Sequence, residues 1–395
     1  MLSSQDIEKI RQDTPGCIDK LFFNSAGSSL PVTQVVDRQI DYLREEAIYG
    51  GYKTMAKYAS EASEAYVEAA NLLGCESHQI AFCESATVAY YRVISSLRFE
   101  MGDVILTSEL DYISNFIVFD QLRRKHNISL AFLKKDVDGS FDLEAVRKQF
   151  TELHPRMVAV THVPTSSGVV QDVAAIGEIC KEFEVLYVID GCQSVGQLEV
   201  NVKEIGCDFL SCTGRKFLRG PRGTGLLYVS DRALTMNLVP ISADGDTTIW
   251  QSADEFEYGN TAKKFETFER SYSNLLGFGL SLKYLNSVGI QNIEAYNTVL
   301  GNHLRSGIKQ KTDILLMDQG NRLSNIITLY HPSFQLEKVI SHLDQHKIYY
   351  SIARKSMAFL DFAQKGVDWA IRLSPHYFNT IEELDEAIDI LGSMR

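Results

Sequence analysis

The stretch of residues 211–225 constrains the fold of this chain more than any other. It reads SCTGRKFLRGPRGTG and lies between two short apolar patterns typical of strands, 208–210 and 226–229. Its four glycines tolerate backbone conformations that other residues avoid. Glycines at this density favour a tight loop pressed against neighbouring structure. The sequence therefore predicts two strands joined by a loop that packs closely against another part of the molecule.

The loop carries one lysine, Lys216, among three arginines, Arg215, Arg219 and Arg222. Neighbouring cations disfavour the charged form of a lysine and lower its pKa. A lysine with a lowered pKa is a nucleophile that can form a Schiff base with an aldehyde. The alternative interpretation of these four residues alone is a basic turn at the surface.

A second feature precedes the lysine by 26 residues, where the pattern LYVIDG at 186–191 predicts a buried strand ending in Asp190. In open α/β sheets, ligands bind just beyond the carboxyl ends of the strands. A carboxylate there needs a cationic partner once water is excluded, and the pyridinium nitrogen of pyridoxal phosphate (PLP) is such a partner. Asp190 alone is better explained as a helix N-cap. Together with Lys216 at a neighbouring strand end, it predicts a PLP site with Asp190 and Lys216 as the catalytic pair.

Two motifs, VIDGxQS and TGRKFxxGPRGTG, resemble the class V aminotransferase family of fold-type I PLP enzymes. That family includes cysteine desulfurases, cystine C–S lyases, isopenicillin-epimerase-like proteins and the sulfoxide lyases of ergothioneine synthesis. The resemblance extends from about residue 21 to the C-terminus. It implies an α/β fold with a mainly parallel, seven-stranded sheet in a large domain, 21–285, and a smaller α+β domain, 286–395. The segment 1–20 is expected to pack on the small domain.

Composition narrows the class of protein further. The 395 residues carry a formal charge of −12 without a concentrated basic tract, which argues against a nucleic-acid-binding surface. The polar residues 1–15 do not read as a signal peptide, and no apolar run is long enough to span a bilayer. The seven cysteines include no CxxC pair, so they predict reduced thiols in a cytoplasmic protein and not a metal site.

The phosphate of the cofactor is expected at the start of a helix. A short strand pattern, 80–83, is followed by Ser85, Ala86 and Thr87, where free N–H groups and the helix dipole favour an anion. Without the Asp190–Lys216 pair these residues would be simple capping residues. With it they are the predicted phosphate cradle, as in the family's corresponding turn. Thr213, through its hydroxyl, and Arg215, as a permanent cation, are predicted to bind the same phosphate.

The resemblance also assigns residues around the cofactor ring. Tyr112 stands where related desulfurases have a histidine that stacks on the ring, and a tyrosine face meets that requirement. Thr165 stands where many have an asparagine near the phenolic oxygen, which leaves that contact open. Gln193 is expected near the Schiff-base side of the ring. Tyr112 as an ordinary core residue is the alternative, and His162 is a secondary candidate that is more readily a buried structural histidine.

The substrate, a small amino acid, is expected to bind through Arg372, which ends a strand near the C-terminus. A guanidinium binds a carboxylate by two parallel hydrogen bonds, and the resemblance assigns Arg372 to the substrate's α-carboxylate. An ordinary surface salt bridge is the alternative. The same resemblance puts Asn24, Ala26 and Gly27 at the mouth of the active site, where a plain strand–turn–helix is the other interpretation.

An absent cysteine bears on the reaction. A cysteine desulfurase uses a thiolate on a mobile small-domain loop, here expected within residues 346–366, yet no cysteine follows Cys212. A desulfurase is therefore disfavoured, and the sequence predicts β-elimination at a carbon–sulfur bond. The alternatives are an aminotransferase or epimerase on the same core, and a PLP-fold protein without catalysis. The family's usual homodimer is expected by analogy, although Phe268-Glu269 replaces the Gly-Thr of the cross-subunit phosphate contact.

Overall fold

The computed structural model describes residues 1–136 and 139–394. The strands are β1 (Leu21–Phe22), β2 (Ile80–Cys83), β3 (Val104–Thr107), β4 (Ser129–Phe132), β5 (Met157–Thr161), β6 (Leu186–Asp190), β7 (Phe209–Thr213), β8 (Gly225–Val229), β9 (Thr248–Ser252), β10 (Glu255–Tyr258), β11 (Leu315–Leu316), β12 (Ile327–Tyr330), β13 (Ile348–Tyr349), β14 (Ser351–Arg354) and β15 (Trp369–Leu373).

The helices alternate with these strands. They are α1 (Ser4–Gln12), α2 (Ser25–Ser28), α3 (Thr33–Tyr49), α4 (Gly51–Lys57), α5 (Ala59–Leu73), α6 (Ala86–Ser96), α7 (Ile113–His126), α8 (Leu143–Leu153), α9 (Val173–Glu182), α10 (Val202–Ile205), α11 (Asp231–Thr235), α12 (Tyr272–Val288), α13 (Ile290–Lys311), α14 (Leu336–Gln345), α15 (Phe359–Lys365) and α16 (Ile381–Gly392). Short 3-10 turns lie at Pro15–Cys17, Ser77–Gln79, Ala262–Phe265 and Lys355–Met357.

The central sheet has the strand order β2-β8-β7-β6-β5-β3-β4. Strand β8 pairs antiparallel with both neighbours, and the pairs from β7 through β4 are parallel. The predicted mainly parallel, seven-stranded sheet of an α/β fold is therefore confirmed. The order brings the carboxyl ends of β5, β6 and β7 side by side, with Thr161 opposite Asp190 and Asp190 opposite Ser211.

The sheet is covered on both faces, which explains why its central strands are almost wholly apolar. Successive side chains of a strand point to opposite faces. On β6, Tyr187 and Ile189 belong to one hydrophobic cluster, and Leu186 and Val188 belong to the other. Every residue of β5, β6 and β7 is buried. Because ordinary apolar packing fills the two faces, the polar residues at the strand ends are free for another role.

The C-terminal part contains a four-stranded antiparallel sheet with the order β11-β12-β15-β14. Helix α13 packs on α16 beside it, and β1 forms a parallel pair with β13. Helix α1 reaches the same part, because Arg11 forms an ion pair of 2.7 Å with Glu383 and donates to the Phe378 carbonyl at 2.8 Å. The predicted packing of residues 1–20 on the small domain and the division into domains stay predictions.

The long helical pattern in the first third of the chain is broken twice. The first break lies at Gly50, between α3 and α4, where φ is 80°. A second break at Tyr58 separates α4 from α5. In the part of the chain that the structure describes, no helix combines the length and the apolar character needed to cross a membrane.

Candidate active site

A cavity of about 220 Å³ opens where β5, β6 and β7 end and α6 begins. All ten residues predicted to bind the cofactor line it: Ser85, Ala86, Thr87, Tyr112, Thr165, Asp190, Gln193, Thr213, Arg215 and Lys216. The structure thus brings together residues that lie up to 131 positions apart. The wall also contains Arg222, which the sequence grouped with Lys216, and residues that the sequence did not single out: Glu84, Tyr90, Asn115, Thr161, Val163, Cys192, Ser211 and Gly223.

Asp190 is held at the end of β6 by two donors. Its Oδ1 accepts a hydrogen bond of 2.9 Å from the Cys192 backbone N–H, and its Oδ2 accepts one of 3.5 Å from Asn115 Nδ2. The carboxylate is 6% exposed, and no cation of the described residues lies within 4 Å of it. A buried carboxylate normally has a charged or strongly donating partner. Asp190 therefore has room for a positively charged donor from a ligand.

Asn115, which sequence reasoning missed, connects Asp190 to a second buried carboxylate. Its Nδ2 also donates to Asp111 Oδ1 at 2.8 Å, and Asp111 Oδ2 accepts from Thr107 Oγ1 at 2.7 Å. Thr161 donates its hydroxyl proton to Asp111 as well. Burial raises the pKa of Asp111 to about 6 against the effect of these donors, with a smaller contribution from Asp190. Asp111 thus fixes the amide that orients Asp190.

The loop that carries Lys216 is as tight as predicted. Gly214 N–H donates to the Thr224 carbonyl at 3.0 Å, and Gly220 N–H donates to the Gly214 carbonyl at 2.8 Å. A Cβ at Gly220 would come within 2.7 Å of the Phe278 ring. The loop therefore presents Lys216 to the cavity from a backbone with little freedom to move.

The environment of Lys216 favours its neutral form. Burial lowers the pKa of the amine, Cys192 and Asp190 oppose that effect, and Arg215 and Arg372 reinforce it. Of the arginines that the sequence placed around this lysine, Arg215 acts on it. Arg372, 156 positions away in the chain, also acts on it.

Arg219 does not contribute to this environment, and its inclusion among the cationic neighbours of the lysine is wrong. With a φ of 59°, the backbone at Arg219 is left-handed, and the side chain turns away from the cavity. Its guanidinium donates to the Leu30 carbonyl at 2.8 Å and to Thr14 Oγ1 at 2.5 Å. It lies within 5.0 Å of the ring centres of Tyr377 and Phe378. Arg219 is therefore a structural residue that joins the loop to both ends of the chain.

Helix α6 begins at the cavity. Ser85 is its N-cap, and the Ser85 hydroxyl accepts from the Val88 N–H at 3.2 Å. The backbone N–H groups of the first helical residues, Ala86 and Thr87, are not used within a helix. Gly225 packs against this turn, where a Cβ would lie 2.5 Å from the Ser85 carbonyl carbon. The helix start is thereby fixed in a position suited to an anion.

Tyr112 and Cys192 both border the cavity. Burial raises the pKa of Tyr112, with Cys192 and Asp190 adding to the effect. Burial, followed by the charge of Asp190, raises the pKa of the Cys192 thiol well above its usual range. The aromatic ring is therefore a neutral wall, and the thiol is protonated at neutral pH.

Arg372 lies on β15 and contacts Thr165, but it does not itself line the cavity. Its NH1 donates to Thr165 Oγ1 at 2.6 Å and to the Thr165 carbonyl at 3.1 Å, and its NH2 donates to Ser351 Oγ at 3.1 Å. Ser351 in turn donates to Asn24 Oδ1 at 2.5 Å. Arg372 is 8% exposed, so it is no surface residue, and its Nε has no partner among the described residues. Burial, followed by Arg215, lowers the pKa of Arg372 to about 10.

The segment around Asn24, Ala26 and Gly27 forms the short helix α2 and contacts the cavity wall through its backbone. The Ala26 carbonyl accepts from Gln193 Nε2 at 3.1 Å, and the Gly27 carbonyl accepts from the Arg215 guanidinium. The three residues therefore do not line the cavity themselves. They position residues that do.

His162 lies elsewhere. It borders a separate cavity on the other side of β5, together with Gln171 and Asn201. Burial, with a contribution from Arg322, lowers the pKa of His162 to about 3. As a neutral side chain outside the cavity that holds Lys216, it has no part in this site.

Comparison with known families decides the relationship. Residues 21–387 match the family described as Aminotransferase class-V. The chain belongs to that family. PLP is the cofactor of these proteins, and the prediction of this cofactor is confirmed.

Two relatives carry the name of a desulfurase. The chain is 28% identical to a probable cysteine desulfurase of Methanothermobacter thermautotrophicus, with 98% of each chain covered. It resembles the structure of an apo cysteine desulfurase from Thermococcus onnurineus with a TM-score of 0.90 and 23% identity, over 99% of this chain and 98% of that one.

A further structure with the same fold bears a different name. The cystine C–S lyase C-DES, in complex with its reaction product cysteine persulfide, matches with a TM-score of 0.85 and 18% identity, over 96% of this chain and 99% of that chain. The predicted fold-type I architecture is confirmed by these structures.

The residues around the cavity fit PLP. Asp190 forms no ion pair within 4.0 Å with a cation of residues 1–136 and 139–394, as a pyridinium binding site requires. Gln193 Oε1 is buried and without a hydrogen-bond partner among the described residues. The start of α6 offers free N–H groups to a phosphate, with Thr213 and Arg222 on the same cavity wall.

Proposed function

We propose that this protein is a PLP-dependent lyase that cleaves a carbon–sulfur bond of a sulfur-containing amino acid by β-elimination. One observation carries the choice of reaction. Strand β14 places Ser351 beside Arg372, so the side chain that accepts a hydrogen bond from the guanidinium carries a hydroxyl and not a thiol. All seven cysteines lie between positions 17 and 212.

Lys216 is the proposed base. Burial lowers the pKa of Lys216, which favours the neutral amine that can take the proton from the substrate Cα. The tight loop keeps the amine in one place relative to Asp190, which limits the positions from which it can act. When bound, PLP supplies an electron sink that stabilises negative charge developing at Cα.

Asp190 is proposed to hold the proton on the pyridine nitrogen. Its two oxygens are oriented by the Cys192 N–H and by Asn115, and Asp111 fixes that amide from behind. A carboxylate already held by neutral donors needs little rearrangement when a charged donor arrives. The proposed site residues Tyr112 and Gln193 would enclose the ring, and Arg372, supported by Thr165, would orient the substrate's α-carboxylate.

The overall reaction requires no oxidant or reductant. The Cα–H and Cβ–S bonds break, the proton goes to Lys216, and the sulfur leaves with the bonding electrons. Addition of water to the three-carbon fragment then yields pyruvate and ammonia. The sulfur group leaves as a thiol, or as a persulfide when the substrate is a disulfide.

A desulfurase is the second candidate, favoured by the names of the curated relatives. A desulfurase reaction needs a thiolate near the substrate sulfur. Cys192 is the cysteine that borders the cavity, and both burial and Asp190 keep its thiol protonated. This environment supports elimination over sulfur transfer to a protein cysteine.

Transamination and epimerisation could use the same base and the same cofactor contacts. In transamination the proton taken from Cα would go to a carbon of the cofactor, and in epimerisation it would return to Cα. In elimination it does neither. A leaving group on Cβ makes elimination the faster outcome, so the substrate class decides among the three reactions.

A homodimer is proposed for the assembly. Helices α3 and α4 expose Leu43, Ile48, Tyr49 and Tyr52, and the β9–β10 hairpin exposes Trp250. Exposed apolar groups at this density mark interaction surfaces. The unpaired cysteines support a reducing compartment, and the cytoplasm is the proposed location.

The proposal is tested by incubating the PLP-loaded protein with cystine, S-methylcysteine and cysteine, without a keto acid. Pyruvate and ammonia in equal amounts are expected from at least one of these substrates. Keto acid that forms only after addition of an acceptor would show a transaminase. Sulfide and alanine from cysteine in the presence of a thiol would show a desulfurase.

A further inference from the structure

Two donors hold the hydroxyl group of Thr165 at the cavity wall. Its Oγ1 accepts a hydrogen bond of 3.1 Å from Gln193 Nε2 and one of 2.6 Å from Arg372 NH1. A threonine hydroxyl has two lone pairs and one proton. Because the two donors use both lone pairs, the proton has to be donated elsewhere. Within residues 1–136 and 139–394 it has no acceptor, and Thr165 lines the cavity.

The amide of Gln193 has one orientation that satisfies its neighbours. Its Nε2 is also 3.1 Å from the Ala26 carbonyl oxygen, which can only accept a hydrogen bond. The amide nitrogen must therefore face Ala26, and Oε1 takes the other position. There Oε1 is buried and has no donor among the described residues. Gln193 is 1% exposed, so bulk water does not compensate this acceptor, and an uncompensated buried acceptor is costly.

Thr165 and Gln193 thus give the cavity wall an unused donor beside an unused acceptor. The two lie on either side of one amide nitrogen, because Nε2 of Gln193 is the atom that contacts Thr165 Oγ1. A ligand group that fits both must accept one hydrogen bond and donate another. A neutral hydroxyl group does so, whereas an anionic oxygen can only accept. The pair therefore matches a hydroxyl group better than the corresponding anion.

The strand order indicates which part of the cofactor meets this pair. Strand β6, which ends in Asp190, lies between β7 and β5. The start of α6 packs on Gly225 of β8, on the β7 side, and Thr165 follows β5 on the other side. In PLP the ring hydroxyl group and the phosphate arm lie on opposite sides of the line through the nitrogen and the aldehyde carbon. A ring with its nitrogen at Asp190 and its phosphate at α6 has its hydroxyl group on the side of Thr165.

We propose that the ring hydroxyl group of PLP is bound here in its neutral form, accepting a hydrogen bond from Thr165 Oγ1 and donating one to Gln193 Oε1. The two residues then favour one protonation state of the cofactor oxygen next to the linkage with Lys216. Arg372 strengthens the contact, because hydrogen bonds in a chain polarise one another. The assignment concerns the cofactor, so it is independent of the reaction that the protein catalyses.

The competing assignment has Gln193 donate through Nε2 to an anionic ring oxygen. It requires the amide to turn, and Oε1 would then meet the Ala26 carbonyl oxygen, which is an acceptor as well. The two assignments predict opposite effects when the Gln193 amide is removed. Loss of an acceptor favours the anionic ring oxygen, and loss of a donor favours the neutral one.

The absorbance spectrum of the PLP-loaded protein distinguishes the two assignments. In lysine-bound PLP the neutral ring oxygen gives a band in the near ultraviolet, and the anionic oxygen gives the near-visible band. Gln193→Leu should raise the ratio of near-visible to near-ultraviolet absorbance by roughly 3- to 10-fold, the effect of one hydrogen bond. A ratio that falls or stays the same would overturn the proposal.

Thr165→Val should change the same ratio in the opposite direction. It removes a donor, and a donor stabilises an anionic oxygen more than a neutral one. Thr165→Ser keeps the hydroxyl and should restore the wild-type ratio. Ser351→Ala is the matched control, because it removes the other hydroxyl that accepts from Arg372, at 3.1 Å, and should leave the ratio unchanged. An equal shift in Ser351→Ala would assign the effect to Arg372 and contradict the role of Thr165.

A ligand analogue tests the contact without reference to absorbance or to a Gln193 variant. The probe is the PLP analogue in which hydrogen replaces the ring hydroxyl group, and equilibrium dialysis gives its dissociation constant and that of PLP. The preference of the protein for PLP should fall by roughly 3- to 10-fold in Thr165→Val, while affinity for the analogue stays within about twofold. Equal loss of affinity for both ligands would give Thr165 a structural role only and overturn the proposal.

Discussion

Two clusters of buried charged residues in this protein differ in whether their charges are paired by other protein residues. Beneath the sheet, Glu266 accepts from the Phe82 N–H at 2.6 Å and from the Tyr66 hydroxyl at 2.9 Å, and it pairs with Arg270 at 2.8 Å. At the cavity, Asp190 on its wall and Arg372 beside Thr165 are oriented by neutral donors and acceptors, and no opposite charge of the described residues pairs with either. The first cluster is complete within the protein. In the proposed function, a ligand supplies the charges that the second cluster lacks.

The comparison implies that changes in the two clusters affect different properties. A substitution beneath the sheet breaks an existing ion pair and should lower stability. A substitution at the cavity removes a group that is proposed to bind a ligand, and it should lower binding or turnover. The following substitutions test this separation, from the largest expected effect to the smallest.

Lys216→Ala should have the largest effect on turnover. Loss of a positioned base lowers rates by about 10²–10⁴-fold, and here the same amine is also the proposed attachment point of PLP. The near-visible absorbance band of PLP attached to the lysine should disappear, while non-covalent PLP binding remains measurable by dialysis. A variant that retained both the band and wild-type turnover would remove Lys216 from the site.

Asp190→Asn and Glu266→Gln form a matched pair across the two clusters. Asp190→Asn should cost about 3–5 kcal/mol of interaction with the pyridinium, or two to three decades in kcat. Its thermal midpoint without PLP should change little. Glu266→Gln should lower the free energy of unfolding by about 3–5 kcal/mol, because it removes the buried partner of Arg270 at 2.8 Å and leaves only the more exposed Asp246 at 3.8 Å.

The matched pair is measured by pyruvate release per PLP-loaded subunit and by chemical unfolding of both variants. Loss of turnover in Glu266→Gln at full folding, or loss of stability alone in Asp190→Asn, would contradict the division of roles between the two clusters.

Arg372→Gln should raise KM by roughly 10- to 100-fold through loss of a charge-assisted contact with the α-carboxylate. Its stability should not fall, because the substitution removes a buried cation that has no anion in the protein. Substrate titrations and the thermal midpoint of the PLP-free protein measure the two effects. A lower midpoint with an unchanged KM would assign Arg372 a structural role.

The effect of pH on the free energy of unfolding tests whether His162 affects stability and not turnover. The pKa of His162 is lowered to about 3 in the folded protein, so the folded state keeps it neutral where the unfolded chain, with its ordinary pKa near 6.5, binds a proton. Its contribution to stability is therefore complete above pH 6.5 and is lost as the pH falls towards 3. The expected slope is about 1.4 kcal/mol per pH unit.

His162→Gln should remove this slope from the unfolding free energy and leave the pH dependence of kcat unchanged. Urea unfolding at several pH values measures the first quantity, and pyruvate release measures the second. A shifted pH–rate profile would place His162 in the reaction.

The sequence predicted the centre of the cavity because that part follows from local rules. An aspartate at the end of an apolar strand and a lysine in a glycine-rich loop after the next strand must meet if the sheet is parallel. The strand order fulfils that condition, with Asp190 opposite Ser211 on β7.

What the sequence left open depends on side-chain direction. Asn115 lies four residues after Asp111, so one turn of α7 brings its amide between Asp111 and Asp190. The sequence shows this spacing, but the contact of Asn115 can be predicted only when the residue at which α7 begins is known. Arg219 was misassigned because its guanidinium bonds to Leu30 and Thr14, contacts that its position in the loop sequence does not reveal.

The contact between the N-terminal segment and β15 has a consequence for biosynthesis. Ala26 N–H donates to Ser374 Oγ at 2.9 Å across 348 positions, and Ser374 N–H donates to the Phe23 carbonyl at 2.7 Å. During translation, Gln193 and Lys216 leave the ribosome long before the strand that anchors their N-terminal neighbour. We therefore expect a nascent chain to lack these contacts of the N-terminal segment until synthesis is nearly finished.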